Sequence, residues 1–230
     1  MFAIKTVQPM HRSLRVLAGL LTYPDPRMRQ HLAEMRELLH DEGAVSASRR
    51  HEIEVLIDRL RRAEPLQAEA DYVELFDASR STSLHLFEHV HGDSRERGPA
   101  LIDLGQTYER AGLLLVEGEL PDYLPAVLEF VSTQPAREAK AFLGEMSHIL
   151  NSIFNALRKQ RSAYASVLGA LIELAGEQAH PVEPTPDAPL DESWEEPPVF
   201  DGCSTQGQAR PGTPQPIHVV RKSAQTGAST

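Results

Sequence analysis

The chain is short of the groups that build most active sites. It has one cysteine, Cys203, so it can form no disulfide within itself, and it has no Cys-x-x-Cys pair for a zinc knuckle or a dithiol redox centre. Its longest apolar stretches, such as Ala111 to Val116, fall far below the roughly 18 residues needed to span a bilayer. The opening Met-Phe-Ala-Ile-Lys-Thr carries no export signal, so neither secretion nor membrane insertion is expected, and a reducing, cytoplasmic setting is. No Gly-x-Gly-x-x-Gly, P-loop, Gly-x-Ser-x-Gly or His-Glu-x-x-His occurs, which removes the common signatures of nucleotide binding and hydrolysis. Basic residues are outnumbered, 23 Lys and Arg against 33 Asp and Glu, for a formal net charge of −10. That balance argues against a nonspecific grip on nucleic acid or anionic lipid and favours a basic partner.

Proline, by contrast, is abundant, and its placement divides the 230 residues. Nine of the 17 prolines, from Pro181 to Pro216, fall in the last fifty residues, where apolar periodicity stops and Pro, Glu, Asp, Gly, Ser and Thr predominate. Such a composition buries too little surface to offset the entropy of ordering. A folded unit is therefore expected over about residues 10–178, with a disordered acidic, Pro-rich tail over 179–230.

Within the first unit the apolar residues recur at helical spacing, and no sustained alternation suggests a sheet. Leu14, Leu17, Leu20 and Leu21 form one face and stop before Pro24. Asp25-Pro26 has the form of a helix start, followed by Met28, Leu32, Met35 and Leu39 on one face until Gly43. Further helices are expected from Ser46 to Pro65, over Leu66 to Phe76 and from Leu84 to Gly92. The next opens at Asp93 with Glu96 as a capping box; others run from Asp122 to Val131, from Pro135 to Leu157 as one long segment, and from Ser162 to Ile172. The expected fold is an all-α globular bundle of eight or nine helices.

Three groups could carry chemistry. His85, His89 and His91 include an i, i+4 pair able to share a metal ion, with Glu88 or Asp93 adding oxygen; a metal-dependent helical enzyme is the alternative this cluster keeps open. The acids Glu69, Asp71, Glu74, Asp77, Glu117, Glu119 and Asp122 could serve as paired acid and base or form a solvated face. Beside exposed apolar residues they could also recognise a basic amphipathic peptide, the apolar anchors giving affinity and the carboxylates orientation.

The order Asp71-Tyr-Val-Glu-Leu-Phe-Asp77, His91-Gly-Asp-Ser-Arg-Glu-Arg-Gly98 and Glu119-Leu-Pro-Asp-Tyr-Leu-Pro-Ala-Val-Leu-Glu-Phe130 resembles the NarJ-type assembly chaperones of respiratory nitrate reductase, often labelled its delta subunit. The likeness extends to Leu20-Leu-Thr-Tyr-Pro24, Ser162-Ala-Tyr-Ala-Ser-Val-Leu168 and, in the tail, Trp194-Glu-Glu-Pro-Pro-Val-Phe200.

The resemblance implies an all-helical cytoplasmic chaperone, not an enzyme and without a cofactor of its own. Its implied partner is the apo catalytic, molybdenum-containing subunit of nitrate reductase, held through a basic N-terminal segment until cofactor insertion and membrane docking; cofactor-delivery proteins are further implied partners. Carried over by position, Tyr72, Phe76, Leu120 and Leu124 would line an apolar groove for that segment, and Glu74, Asp77, Glu119 and Asp122 would meet its basic side chains. Gly92, Asp93, Arg95, Arg97, Gly98, Pro121 and Pro125 would be structural, the two arginines pairing with neighbouring acids and Gly98 and the prolines shaping turns.

Overall fold

Asp25 accepts the Met28 amide at 2.7 Å and Pro26 occupies the first helical position, so the chain enters a helix where the sequence expects one. The computed structural model describes residues 9–92 and 94–181. Expectations for the tail, including Trp194–Phe200 and Cys203, and for Asp93 fall outside the described residues.

Among the described residues the structure is helical: α1 (His11–Leu20), α2 (Pro26–Gln30), α3 (Leu32–Glu42), α4 (Ala47–Arg62), α5 (Pro65–Phe76), α6 (Leu86–Val90), α7 (Arg97–Arg110), α8 (Leu124–Ser132), α9 (Ala136–Glu145), α10 (Ser147–Lys159) and α11 (Ala165–Ala175), with a 3₁₀ turn at Arg80–Thr82. The all-α class is as the periodicity indicates, but two expected helices are each split. The Asp25–Gly43 segment breaks at His31 and the Pro135–Leu157 segment at Met146. Each junction residue keeps nearly helical dihedrals (ψ −2° and −3°), so the apolar spacing runs across the break and periodicity alone does not reveal it. Two capping expectations also fail. Helix α7 begins at Arg97 with Glu96 as an N-cap that gives no side-chain bond, and Asp122 does not cap α8, whose N-cap is Tyr123.

The core forms around α11, buried at every position except Glu173, and α1, which packs on α3, α8 and α11. Helices α4, α9 and α10 close around α11. Glu173 reaches out to accept the amide and hydroxyl of Ser46 at the start of α4 (2.7 and 2.9 Å). Gly43 and Gly176 end α3 and α11 at φ +64° and +81°, a left-handed conformation that side chains disfavour.

Candidate functional site

The described parts of the three motifs converge on one another. His85 and Tyr123 pair as an isolated antiparallel bridge, the Leu86 amide bonding the Asp122 carbonyl and the Leu124 amide the Leu84 carbonyl (3.0 and 2.8 Å). The bridge brings the Asp122 side chain, wholly buried, to the start of α6. One of its oxygens lies 3.3 Å from His85 Nδ1 and the other accepts the Phe87 amide at 3.1 Å. Asp122 therefore caps α6 across the fold, a service that helix's own N-cap residue, His85, does not provide. Arg97 completes the group, 3.3 Å from Glu88 and 4.0 Å from Asp122.

These contacts set the ionisation states. The hydrogen bond to Asp122 raises the His85 pKa above its ordinary 6.5, against the opposing effect of partial burial. Burial by itself would raise that of Asp122, but the His85 and Phe87 hydrogen bonds and the charges of His85 and Arg97 outweigh it and hold the carboxyl below its usual value.

Tyr72 joins the first motif to the third. Its hydroxyl donates to the Leu21 carbonyl at the end of α1 (2.7 Å) and lies 3.1 Å from the Tyr123 hydroxyl. Burial raises the pKa of Tyr72 and of Tyr123, so both stay protonated donors at neutral pH. The Tyr72 ring packs against Tyr23, Phe76 and Tyr164.

Several expected site residues are thus placed differently. Tyr72 and Phe76 lie in the core, Leu124 is wholly buried, and the Asp122 carboxylate faces inward; none of these four offers a surface to a peptide. Burial of an acid among apolar neighbours is not visible from sequence, because its compensating partners lie far along the chain. Glu74, Asp77 and Glu119 are exposed, as is Leu120. Gly92 has φ +53°; Gly98 sits inside the first turn of α7 rather than in a turn of its own, Pro125 lies buried in the first turn of α8, and the Pro121 carbonyl accepts the Tyr108 hydroxyl at 2.8 Å. Arg95 is exposed.

The histidines do not form a metal cluster. His85 is extended and lies before α6 rather than within it, so it does not share a helical face with His89. His85 turns to Asp122, His89 bonds the Ser83 carbonyl at 2.9 Å and His91 packs edge-on against Phe87. Among the described residues no group of three His, Cys, Asp or Glu side chains could hold a metal ion.

Beside this buried network is an open cleft of about 630 Å³, with Tyr23, Tyr123 and His85 in its lining, Leu114, Val116 and Leu120 on its apolar flank, and Glu119 and Glu129 as its acids. The His85 and Tyr123 rings pack at 5.4 Å. Leu114 and Val116 are 85% and 75% exposed, in a loop that follows α7 and also borders a second cleft of about 370 Å³. The Tyr23 hydroxyl donates to Glu69 at 3.0 Å, placing another carboxylate nearby. Tyr23, Leu114, Val116 and Glu129 were not among the expected site residues. The available signal was the run Leu113-Leu114-Leu115-Val116 between Gly112 and Gly118, too short for a further helix and too apolar for an ordinary loop.

A model of the nitrate reductase delta subunit family matches residues 24–170. The chain belongs to the nitrate reductase delta subunit family. Over 162 residues it is 41% identical to the nitrate reductase molybdenum cofactor assembly chaperone NarJ of Escherichia coli strain K12, covering 70% of this chain and 69% of that one. The NarJ protein of Bacillus subtilis strain 168 is 32% identical over 159 residues, 68% of this chain and 84% of that one. A solved structure of a redox enzyme maturation protein from Archaeoglobus fulgidus has the same fold, with TM-score 0.52 and 17% identity over 77% of this chain and all of that one. The delta subunit match takes in the Tyr72–Tyr123 link, the Asp122 network and the lining of the cleft beside them from His85 to Glu129, and starts just after Tyr23.

Proposed function

We propose that the protein is a client-specific chaperone of respiratory nitrate reductase. It binds the N-terminal segment of the apo catalytic subunit, keeps that subunit competent for molybdenum-cofactor insertion and delays membrane docking until assembly is complete. The relatives named as molybdenum cofactor assembly chaperones support the reading, which makes the protein a binder rather than a catalyst. A cytoplasmic place of action agrees with it; no helix among the described residues is long and apolar enough to cross a membrane.

The observation that carries the proposal is the cleft beside the Asp122 network. Its exposed Leu114, Val116 and Leu120 offer apolar anchorage, and Glu119 and Glu129 offer charge to a basic amphipathic segment. Glu74 and Asp77, exposed at the end of α5, add to the acidic surroundings that steer such a segment. The half-buried His85 and Tyr123 line the cleft, held from beneath by the buried Asp122 and Tyr72. Proteins that deliver the cofactor are further partners in this reading.

Calorimetric titration of the full chain with a synthetic peptide of the client's N-terminal segment tests the proposal. Leu114→Glu with Val116→Glu is expected to abolish binding without changing helicity. Undiminished affinity in that variant would place the peptide elsewhere.

A further inference from the structure

Away from the proposed client cleft, and sharing no lining residue with it, the local charge is reversed. A cleft of about 540 Å³ beside α4 and the turn between α10 and α11 is lined by Arg49, Arg59, Arg158 and Arg161, with Glu52 as its one carboxylate. Four guanidiniums in one concavity are unexpected on a chain of net charge −10. Several arginines elsewhere are engaged: Arg36 on Asp58, Arg97 on Glu88, Arg29 on the carbonyls of Leu60 and Ala63. In this cleft Arg49 alone has a carboxylate partner among the described residues, Glu52, and its Nε, like those of Arg36 and Arg50, is buried with no hydrogen-bond partner among them. Arg158 lies over the Phe154 ring at 5.8 Å, a contact that leaves its N–H donors unused. Arg59 and Arg161 form no ion pair among the described residues.

The backbone is adapted to this arrangement at two points. Arg161 has φ +55°, the one non-glycine in the left-handed region among the described residues, although glycine would suit that turn better. The Arg49 guanidinium lies against α11 at Gly169, where an added Cβ would come within 2.6 Å of it. Like charges gathered with unused planar donors match an anion with several oxygens, which guanidinium groups bind in bidentate fashion. The cleft also shares Arg59, Ser162 and Ala163 with a mainly apolar recess of about 260 Å³, lined by Leu56, Leu60, Leu75 and Tyr164, with Asp71 as its one carboxylate. The Tyr164 hydroxyl is buried there without a hydrogen-bond partner among the described residues.

We infer that this cleft binds a small phosphate-bearing molecule, with Arg49, Arg158 and Arg161 holding the phosphate oxygens and the recess beside Tyr164 accepting an apolar organic part. The site is separate from client-peptide binding and stands whether or not that proposal does.

Titration of the full chain with inorganic pyrophosphate tests the anion site, and phenyl phosphate compared with inorganic phosphate tests the recess. Saturable pyrophosphate binding that weakens as salt rises is expected, with phenyl phosphate binding tighter than phosphate. Loss of one charge-assisted contact costs about tenfold in affinity. Arg158→Gln with Arg161→Gly should therefore weaken pyrophosphate binding by about a hundredfold, whereas Arg137→Gln, on the exposed face of α9, leaves it unchanged. Arg161→Gly also relieves the left-handed backbone, so its thermal midpoint should be no lower than that of the parent, which separates lost binding from lost folding. Vesicles of phosphatidylglycerol distinguish a lipid headgroup from a soluble ligand: binding to vesicles without binding to pyrophosphate would overturn the inference. So would absence of saturable pyrophosphate binding, equal affinity in the double variant, or no preference for phenyl phosphate.

Discussion

One oxygen of Asp122 lies 3.3 Å from the His85 ring while the other accepts the Phe87 amide, so a single buried carboxylate both pairs with a histidine and caps a helix 35 residues away in sequence. Asp122→Ala removes both functions. The lost cap alone costs about 1 kcal/mol or more. Asp122→Asn keeps an acceptor for Phe87 and should be milder, while Asp122→Lys, which places a second cation beside Arg97, should be the most damaging. Urea denaturation of the three variants checks the order; equal stability of Asp122→Ala and the parent would mean the cap carries no weight.

The same pair makes stability depend on pH. Because the folded pKa of His85 is raised, its contribution is complete below the unfolded value near 6.5 and fades as pH rises through the folded value. The Asp122 pKa is lowered, so its contribution is present above the unfolded value near 3.8 and is lost as pH falls through the folded one. The stability difference between the parent and His85→Gln should therefore be greatest at about pH 5–6 and shrink above pH 7. A difference that grew with pH would reverse the assigned sign.

How much of this was legible beforehand follows from where each partner lies. Helix starts such as Asp25-Pro26 are local, and they were readable; so was the all-α class, since Leu14, Leu17 and Leu20 declare a face without reference to anything distant. The breaks at His31 and Met146 were hidden because the dihedrals there stay close to helical. The motif residues come together in the fold, beside the cleft proposed above, but several of them are buried there rather than exposed. Tyr72 and Asp122 were assigned to the peptide through the motif resemblance, whereas their partners, Leu21, Tyr123, His85 and Phe87, become visible only when α1, α5, α6 and α8 are packed. The open apolar flank at Leu114 and Val116 lay between motifs, in a loop without periodicity.

Leu124 separates core from groove. It is wholly buried, so Leu124→Ala should cost about 2–5 kcal/mol, as large-to-small core replacements do. Under conditions where the variant remains folded, its affinity for the client peptide should be unchanged. A stable variant with weakened binding would restore the residue to the peptide site.

Tyr72→Phe deletes the donor to the Leu21 carbonyl and keeps the ring. The Tyr123 hydroxyl, already 3.4 Å from the same carbonyl, can take over part of the bond, so the loss should not exceed about 1 kcal/mol. Tyr72→Phe combined with Tyr123→Phe should cost more than the two single losses together, because only then is the carbonyl left without either hydroxyl. Simple additivity in thermal or urea melts would argue against the shared acceptor.

The central claim is that the cleft between Tyr23, the Leu114–Val116 loop and Tyr123 holds a basic amphipathic segment by apolar anchorage and charge together. The most direct measurement is the affinity of the full chain for the client's N-terminal peptide, taken with the parent, with Leu114→Glu and Val116→Glu combined, and with Glu119→Lys and Glu129→Lys combined, each at low and high salt. The account predicts that the first pair of changes abolishes binding at both salt concentrations, and that the second weakens it most at low salt, where unscreened charge contributes most. Unchanged affinity in both double variants, with helicity retained, would contradict it.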